Sequence, residues 1–184
     1  DESVRIWLRL NRQVEHRGHG WANLPAELQQ QMDKAREMLE LAALQGHANA
    51  VYDLGKMFYN GYGVERDPTK AFDFFQRAAD NGNAEAMADL GNMYRHGQGV
   101  EKDPTKAIDL FQRAADMGYT VATTCLALLY LDGDVPRDVK KAVVLLKAAA
   151  AKGEECAMLK LGALCGQTKN FSKAREWYYQ VLIL

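Results

Sequence analysis

One stretch of the chain, residues 46–117, decides the fold because its two halves are nearly the same sequence. Residues 46–81 read GHANAVYDLGKMFYNGYGVERDPTKAFDFFQRAADN, and residues 82–117 read GNAEAMADLGNMYRHGQGVEKDPTKAIDLFQRAADM. The two copies align over 36 residues without a gap. A fixed period of some tens of residues is typical of a repeat array, in which each copy buries its apolar side against its neighbours.

The pattern extends beyond these two copies in both directions. Residues 118–152 form a third copy with one residue deleted from its loop, and residues 153–184 form a shorter fourth copy. Upstream, residues 34–43 match residues 70–79 at the same spacing. We therefore expect an N-terminal helical cap with a partial repeat, followed by four repeats: residues 1–45, 46–81, 82–117, 118–152 and 153–184.

Each unit is predicted to contain two helices. In the first full copy, apolar residues recur at helical spacing from about Ala48 to Tyr59, which indicates the first helix. The second helix should begin at Asp67-Pro68, because Asp is a favoured N-cap and proline at the first helical position loses no hydrogen bond. Its apolar stripe alternates large and small side chains, as close helix packing requires: Ala71, Phe74, Phe75, Ala78 and Ala79.

Small residues in the middle of the first helix indicate tight packing. Gly55 and Gly91 stand where glycine costs about 1 kcal/mol relative to alanine. The third copy has Ala127 at this position, and the fourth has Gly162. We interpret these residues as points where the partner helix comes close, without any ligand.

The repeated residues bring a family into view. They form the pattern A-x-x-x-L-G-x-M-Y-x-x-G-x-G-V-x-x-D-x-x-K-A-x-x-x-F-x-x-A-A-x-x-G, which closely resembles the Sel-like repeat, a relative of the tetratricopeptide repeat. The resemblance covers about Asp33 to Leu184. It implies an all-α fold, a right-handed α-solenoid superhelix of antiparallel helix pairs with a concave face. It also implies an adaptor in bacterial or eukaryotic protein complexes.

Two copies depart from this pattern. The third has Asp134-Val135-Pro136 in place of its second loop glycine, so its turn is the least well defined by the sequence. In the fourth copy, Ala174 follows Gly162 by 12 residues, whereas Ala71 follows Gly55 by 16. This shorter spacing resembles an ordinary tetratricopeptide repeat.

Composition favours a folded, globular protein. Of 184 residues, 48% are hydrophobic and 26% are charged, which is enough apolar surface to fold. Lys and Arg number 23 against 24 Asp and Glu, and no long block of one sign occurs, so neither nucleic acid nor an anionic membrane is indicated. We recognise no targeting segment or membrane-spanning run, which leaves a cytoplasmic location, or a periplasmic or secreted one if a signal peptide has been removed.

The sequence offers little that resembles a catalytic, cofactor or metal site. His16 and His19 have a spacing that two metal ligands on one helix could use, but no third and fourth ligands accompany them, so we interpret them as surface residues. The glycine-containing loops lack the context of a phosphate-binding loop. The cysteines lie on predicted helices without a nearby histidine, which favours packing: Cys125, Cys156 and Cys165. We expect no enzyme activity, no cofactor and no metal.

The family resemblance implies that the first helix of each unit lines the concave groove, so its non-core positions are the candidates for binding a protein or peptide. In the first two repeats they are polar and net basic: Asn49, Tyr52, Lys56, Tyr59 and Asn60, then Glu85, Ala88, Asn92, Arg95 and His96. In the next two they are largely apolar: Val121, Thr124, Leu128, Leu131 and Asp132, then Cys156, Leu159, Ala163 and Gln167. We expect a partner segment with an acidic part near Lys56 and Arg95 and an apolar part near Leu128 and Leu131.

Two other functions compete with this interpretation. The chain could be a structural or oligomerisation module of a larger complex, because an apolar last helix offers a route to a homo-oligomer: Trp177, Tyr178, Val181, Leu182 and Ile183. A weak hydrolase is the third alternative, although the sequence shows no nucleophile and base brought together.

Overall fold

A computed structural model of the chain describes residues 25–132 and 135–183. These residues form helices joined by short turns and contain no strand, which confirms the predicted all-α fold. The predicted cap before Pro25, with His16 and His19, lies outside the described residues, as do Gly133 and Asp134 of the third loop. The helices are α1 (Ala26–Leu44), α2 (Ala48–Asn60), α3 (Pro68–Asp80), α4 (Ala84–His96), α5 (Pro104–Asp116), α6 (Thr120–Asp132), α7 (Val139–Ala150), α8 (Glu155–Gln167) and α9 (Phe171–Leu182).

The chain divides into two compact units, residues 1–102 and 103–184. In the first unit, α1 packs on α2, α2 on α3 and α3 on α4. In the second unit, α5 packs on α6, α6 on α7, α7 on α8 and α8 on α9. Contact between successive helices is the packing of an all-α solenoid, in which each repeat contacts its neighbours along the chain. No helix in the described part of the chain is long and apolar enough to cross a bilayer.

The second helices begin where the aspartate-proline pairs predict. The carboxylate of Asp67 accepts a hydrogen bond from the backbone N–H of Lys70 at 2.9 Å and caps α3. The carboxylate of Asp103 caps α5 by accepting from the N–H groups of Thr105 and Lys106, both at 3.1 Å. In both helices, proline lies in the first turn, where a backbone donor is not needed.

Glycine in the first helix brings the two helices of a repeat into contact, as the sequence predicts. A Cβ atom on Gly55 would lie 2.5 Å from the ring of Phe75 in α3. The same contact occurs in the fourth repeat, where a Cβ on Gly162 would lie 2.6 Å from the ring of Tyr178 in α9. The two helices therefore pack closely enough for an aromatic ring to lie on the backbone of its partner.

A loop glycine also joins neighbouring repeats in the first unit. Gly99, in the loop after α4, has a φ of +71°, and a Cβ there would lie 2.5 Å from the carbonyl oxygen of Pro68 in α3. Only a residue without a side chain fits this approach and this backbone conformation. The fourth repeat has a shorter connection, since only residues 168–170 separate α8 from α9.

Candidate functional site

The predicted binding residues lie on the first helices of the repeats, which are α2, α4, α6 and α8. We call the non-core positions of these helices, taken in each unit by itself, the first-helix face. On α2, the predicted residues are spaced three and four apart, which places them in one stripe along the helix: Asn49, Tyr52, Lys56, Tyr59 and Asn60. The corresponding stripe on α4 includes Asn92, Arg95 and His96.

In the first unit, part of this stripe joins two repeats. The Oδ1 atom of Asn49 accepts a hydrogen bond from Nδ2 of Asn83 at 3.0 Å, at the start of α4. The hydroxyl of Tyr52 donates to Oδ2 of Asp89 at 3.0 Å. The hydroxyl of Tyr59 donates to Oε1 of Gln98 in the loop after α4. These side chains therefore stabilise the array, which limits their freedom to contact a partner.

The remaining predicted residues of the first unit differ in exposure. Asn60 and His96 are exposed, and Lys56 and Asn92 are half-buried. Arg95, however, is only 8% exposed, so little of its side chain is available to an incoming carboxylate. This burial differs from the open position expected from the sequence. Arg95 occupies the same repeat position as Tyr59, which is half-buried and donates its hydroxyl to Gln98, so this position is not an open one in either repeat.

Two aspartates that sequence reasoning missed lie beside the stripe. Asp53 is 7% exposed, and burial raises the pKa of its carboxyl to about 6, with Lys56 opposing the shift and Glu85 adding to it. Burial also raises the pKa of the Asp89 carboxyl, against the hydrogen bond from Tyr52 and the charge of Lys56. Asp53 and Asp89 occupy the same repeat position, 36 residues apart, and this recurrence was the signal that could have identified them.

In the second unit, Thr124 lies inside a repeat junction. It is 3% exposed, and its hydroxyl donates to Oε2 of Glu154 at 2.6 Å. Glu154 also caps α8 by accepting from the N–H of Ala157 at 2.7 Å. Thr124 corresponds to Tyr52 in the first repeat, so both make a polar contact with the next repeat. Its burial therefore differs from the open position expected from the sequence, because its hydroxyl is held by Glu154 at the junction with the next repeat.

The rest of the face in the second unit is largely apolar. Leu128 and Leu131 on α6 are half-buried, and Leu131 packs against the core around Ala127. Val121 on α6 and Leu159 on α8 remain 42% and 44% exposed. Among the other predicted residues, Asp132, Cys156, Ala163 and Gln167 are exposed. The accessible positions described above are thus polar in the first unit and largely apolar in the second.

A cleft in the first unit lies between α1 and the loop that follows α2. Its lining includes Arg36. One terminal nitrogen of the Arg36 guanidinium lies 3.6 Å from Oδ1 of Asp33, and its Nε atom lies 3.8 Å from Oε1 of Glu40. Acidic and basic side chains are interspersed around it, so the lining favours neither sign of charge in a ligand: Asp33, Arg36, Glu40, Glu65, Arg66, Asp67 and Lys70.

Catalytic or metal chemistry finds little support in the geometry. Within residues 25–132 and 135–183, no group of three or more His, Cys, Asp or Glu side chains is placed to hold a metal ion. The three cysteines are free thiols. Burial, together with the charge of Glu154, raises the pKa of the exposed Cys156 thiol. A raised pKa disfavours the thiolate, which is the nucleophilic form.

Comparison with known proteins reveals similarity to bacterial repeat structures. A Sel1 repeat protein from Oxalobacter formigenes is 32% identical, with a TM-score of 0.72 over 80% of this chain and 61% of that one. The antigen c5321 of uropathogenic Escherichia coli, which displays an SLR fold, is 28% identical, with a TM-score of 0.71 over 80% and 33%. Immunity protein Pa5087 from Pseudomonas aeruginosa is 28% identical, with a TM-score of 0.60 over 80% and 56%. The chain thus spans less than two thirds of the length of each relative.

The family itself is shown by its repeat profile. A comparison with curated proteins finds no match. The Sel1 repeat, however, matches five segments: residues 24–47, 48–83, 84–119, 126–154 and 157–180. Proteins built from this repeat generally serve as scaffolds for protein interaction rather than as enzymes. Because these segments account for most of the sequence, the chain belongs to the Sel1 repeat family.

Proposed function

We propose that this chain is a non-enzymatic adaptor that binds another protein or a peptide segment through its first-helix face. Membership of the Sel1 repeat family supports this role, and the similarity to an immunity protein fits a protein partner. The chain covers less than two thirds of the length of each relative. The protein partner is therefore part of the proposal.

One observation carries the proposal: equivalent positions differ on the face while the core stays constant. The core position that is Ala71 in the first repeat is also alanine in the next three, and all four side chains are buried. The face position of Lys56, by contrast, is Asn92 in the second repeat and Leu128 in the third. In a repeat array, constant positions build the stack, and variable surface positions can encode the choice of partner.

Exposure narrows the part of the face available for binding. Asn60 and His96 offer polar groups in the first unit, whereas Val121 and Leu159 offer apolar area in the second. We therefore assign the direct contacts to these exposed positions and their half-buried neighbours Lys56, Asn92, Leu128 and Leu131. Four side chains contribute mainly by holding the repeats in place: Asn49, Tyr52, Tyr59 and Thr124. Little of the Arg95 side chain is accessible to a partner.

Affinity capture from the native host, with the purified chain as bait, tests this function. We expect Leu159→Ser to reduce capture of a specific partner several-fold, because an exposed leucine in an interface contributes about 1–3 kcal/mol. Val144→Ser is the matched control, since Val144 is also exposed but lies on the second helix α7. Equal capture by wild type and by both variants would contradict the assignment of the face.

A second candidate, a module for self-association, is favoured by the last helix. Tyr178 occupies the position of Phe75, Phe111 and Leu146, which are at most 1% exposed, yet it is 41% exposed itself. Farther along α9, Leu182 is 78% exposed. An apolar surface of this kind is typical of a site that contacts another protein or a second copy.

A further inference from the structure

We propose that the outer side of α7 binds an acidic segment of a partner protein through Lys140 and Lys147, which lie about two helical turns apart. We call these two side chains the lysine pair. This surface lies outside the one proposed above, because α7 is the second helix of its repeat and is no part of the first-helix face. It gives the chain a second contact surface with a positive charge of its own.

The second helices of the first two repeats balance their own charges. α3 and α5 each carry two basic and two acidic residues. On α5, a terminal nitrogen of the Arg113 guanidinium lies 3.7 Å from Oδ2 of Asp109, four residues earlier. Nε2 of Gln112 donates to Oδ1 of Asp116 at 2.9 Å, and α3 has the equivalent bond at the same length. The outer side chains of these two helices therefore serve one another as partners.

The equivalent helix of the third repeat, α7, lacks both acidic residues. The positions of Asp109 and Asp116 are held there by Val144 and Ala151. α7 contains three lysines and no acidic residue, and Lys152 follows it closely. Positive charge thus stands on α7 where the equivalent helices carry both signs in equal number.

The lysine pair has no partner within the chain as described. Both side chains are exposed, and a separation of seven residues places them in one stripe, about 10 Å apart along the helix axis. Neither ammonium forms an ion pair or a hydrogen bond with any residue in the ranges 25–132 and 135–183. Lys141 differs, since its Nζ atom donates to the Tyr130 hydroxyl at 2.8 Å. The lysine pair is therefore available to carboxylates from outside the chain.

The surface beside the lysine pair consists of small side chains. Val144, Ala148 and Ala151 are exposed, and they stand where α5 carries two aspartates and an arginine. A second chain can therefore lie along α7 without displacing long side chains. Its carboxylates would then meet the two ammonium groups at the ends of a short contact.

The chemistry favours an acidic protein segment over a membrane or a nucleic acid. Basic surfaces that hold anionic lipids typically combine about four to eight Lys and Arg residues or add large apolar groups, whereas the exposed apolar side chains of α7 are valine and alanine. The helix has no aromatic ring on which a base could stack. Two ammonium groups about 10 Å apart match carboxylates on residues seven apart in a partner helix.

The test uses two alanine-rich helical peptides, one with two glutamates seven residues apart and one with glutamines in their place. Titration of the isotope-labelled chain at low salt, followed by NMR, should shift the backbone amides of residues 139–152 saturably with the glutamate peptide. The amides of α5 are the internal control, because the charges of that helix are balanced. We expect the glutamine peptide to bind at least about fivefold more weakly.

Two double variants change the charge of α7 in different ways. Lys140→Gln with Lys147→Gln should bind the glutamate peptide at least about fivefold more weakly than the wild type, because it removes the lysine pair. Val144→Asp with Ala151→Asp keeps the lysine pair and gives each lysine an acidic residue four positions later. It should weaken binding by a similar factor, and aspartate suits these positions because α3 and α5 carry it there.

Lys160→Gln with Lys173→Gln is the matched control, because it removes the same charge from exposed positions of α8 and α9. Val144→Ser is a second control, since it keeps the lysine pair and a small uncharged side chain. Both should bind the glutamate peptide like the wild type. Thermal unfolding verifies that each variant is folded.

Equal binding of the two peptides, or unchanged binding after removal of the lysine pair, would overturn the inference. The same holds if the chain ignores both peptides but binds vesicles of phosphatidylcholine and phosphatidylserine through the lysine pair, because the surface would then serve a membrane. Leu159→Ser should leave binding of the glutamate peptide unchanged. Failure of the first-helix face and failure of the lysine pair are therefore separate results.

Discussion

Asp53 shows how one residue can lower the stability of the fold. Its pKa of about 6, against an ordinary value of 3.8, means that the folded chain binds the proton more tightly than the unfolded chain does. Stability should therefore fall as the pH rises from about 4 to 6, and the penalty is fully present above that window. A shift of this size corresponds to roughly 3 kcal/mol, since one pKa unit equals about 1.4 kcal/mol.

Replacement of this carboxyl tests the penalty directly. Asp53→Asn should raise the free energy of unfolding at pH 7 by about 1–3 kcal/mol, because it removes the buried charge and keeps the shape of the side chain. The gain should disappear near pH 4, where the native carboxyl is itself protonated. Urea unfolding at both pH values measures the effect. A gain of the same size at pH 4 and 7 would show that charge is not its cause.

At the residue scale, the sequence predicted residues that have the same local role in each repeat, but it did not predict which polar side chains are buried. Asp67 and Asp103 were recognisable as N-caps because the cap depends on local chain geometry and precedes proline in both copies. The burial of Arg95 and Thr124 was not predictable, because a polar side chain at a non-core position of a helix is ordinarily exposed to solvent. Asp53 was missed for a related reason: an isolated acidic residue in an amphipathic helix resembles a solvated one.

At the scale of the helix, the two helices of a repeat pack closely because Gly55 has no side chain to keep them apart. Gly55→Ala should destabilise the chain by about 1–3 kcal/mol, because the new Cβ would overlap the ring of Phe75, which is packed in the core at 1% exposure. The loss should outweigh the helix propensity of alanine, worth about 1 kcal/mol. Thermal or urea unfolding measures the change.

Gly166 is the matched control for that substitution. It also lies in a first helix, α8, but nothing stands within 4 Å of a Cβ built on it. Gly166→Ala should therefore be neutral or raise stability by up to about 1 kcal/mol, through helix propensity alone. If both alanine variants change stability alike, close approach of the helices does not explain the glycine in the repeat.

At the scale of the whole molecule, the repeat pattern predicted the order of the helices but not which surfaces another molecule covers. The sequence distinguishes core from surface because core positions recur: Phe75, Phe111 and Leu146 share one position and are all buried. It does not distinguish a partner surface from a solvated one, because both consist of positions free to vary. Exposure in the folded chain shows which of these variable side chains another molecule can reach, and we base the proposals for the first-helix face and for α9 on it.

Self-association through α9 is the prediction that belongs to this scale. The exposed side of α9 combines Phe171, Tyr179 and Leu182, which are 70%, 60% and 78% exposed. If this side pairs with a second copy, the mass in solution measured by light scattering should rise with concentration towards that of a dimer. Leu182→Lys should return the chain to a monomer, because a charge in an apolar contact costs several kcal/mol.

The control for self-association is a lysine placed at a similarly exposed position away from α9. Leu44→Lys serves this purpose, since Leu44 ends α1 and is 82% exposed. Its dimer fraction should equal that of the wild type. A monomeric mass for the wild type at every concentration would remove self-association as a function of α9. The adaptor role would then rest on the first-helix face, where side chains such as Lys56, Asn92 and Leu128 change from one repeat to the next while the core positions stay constant.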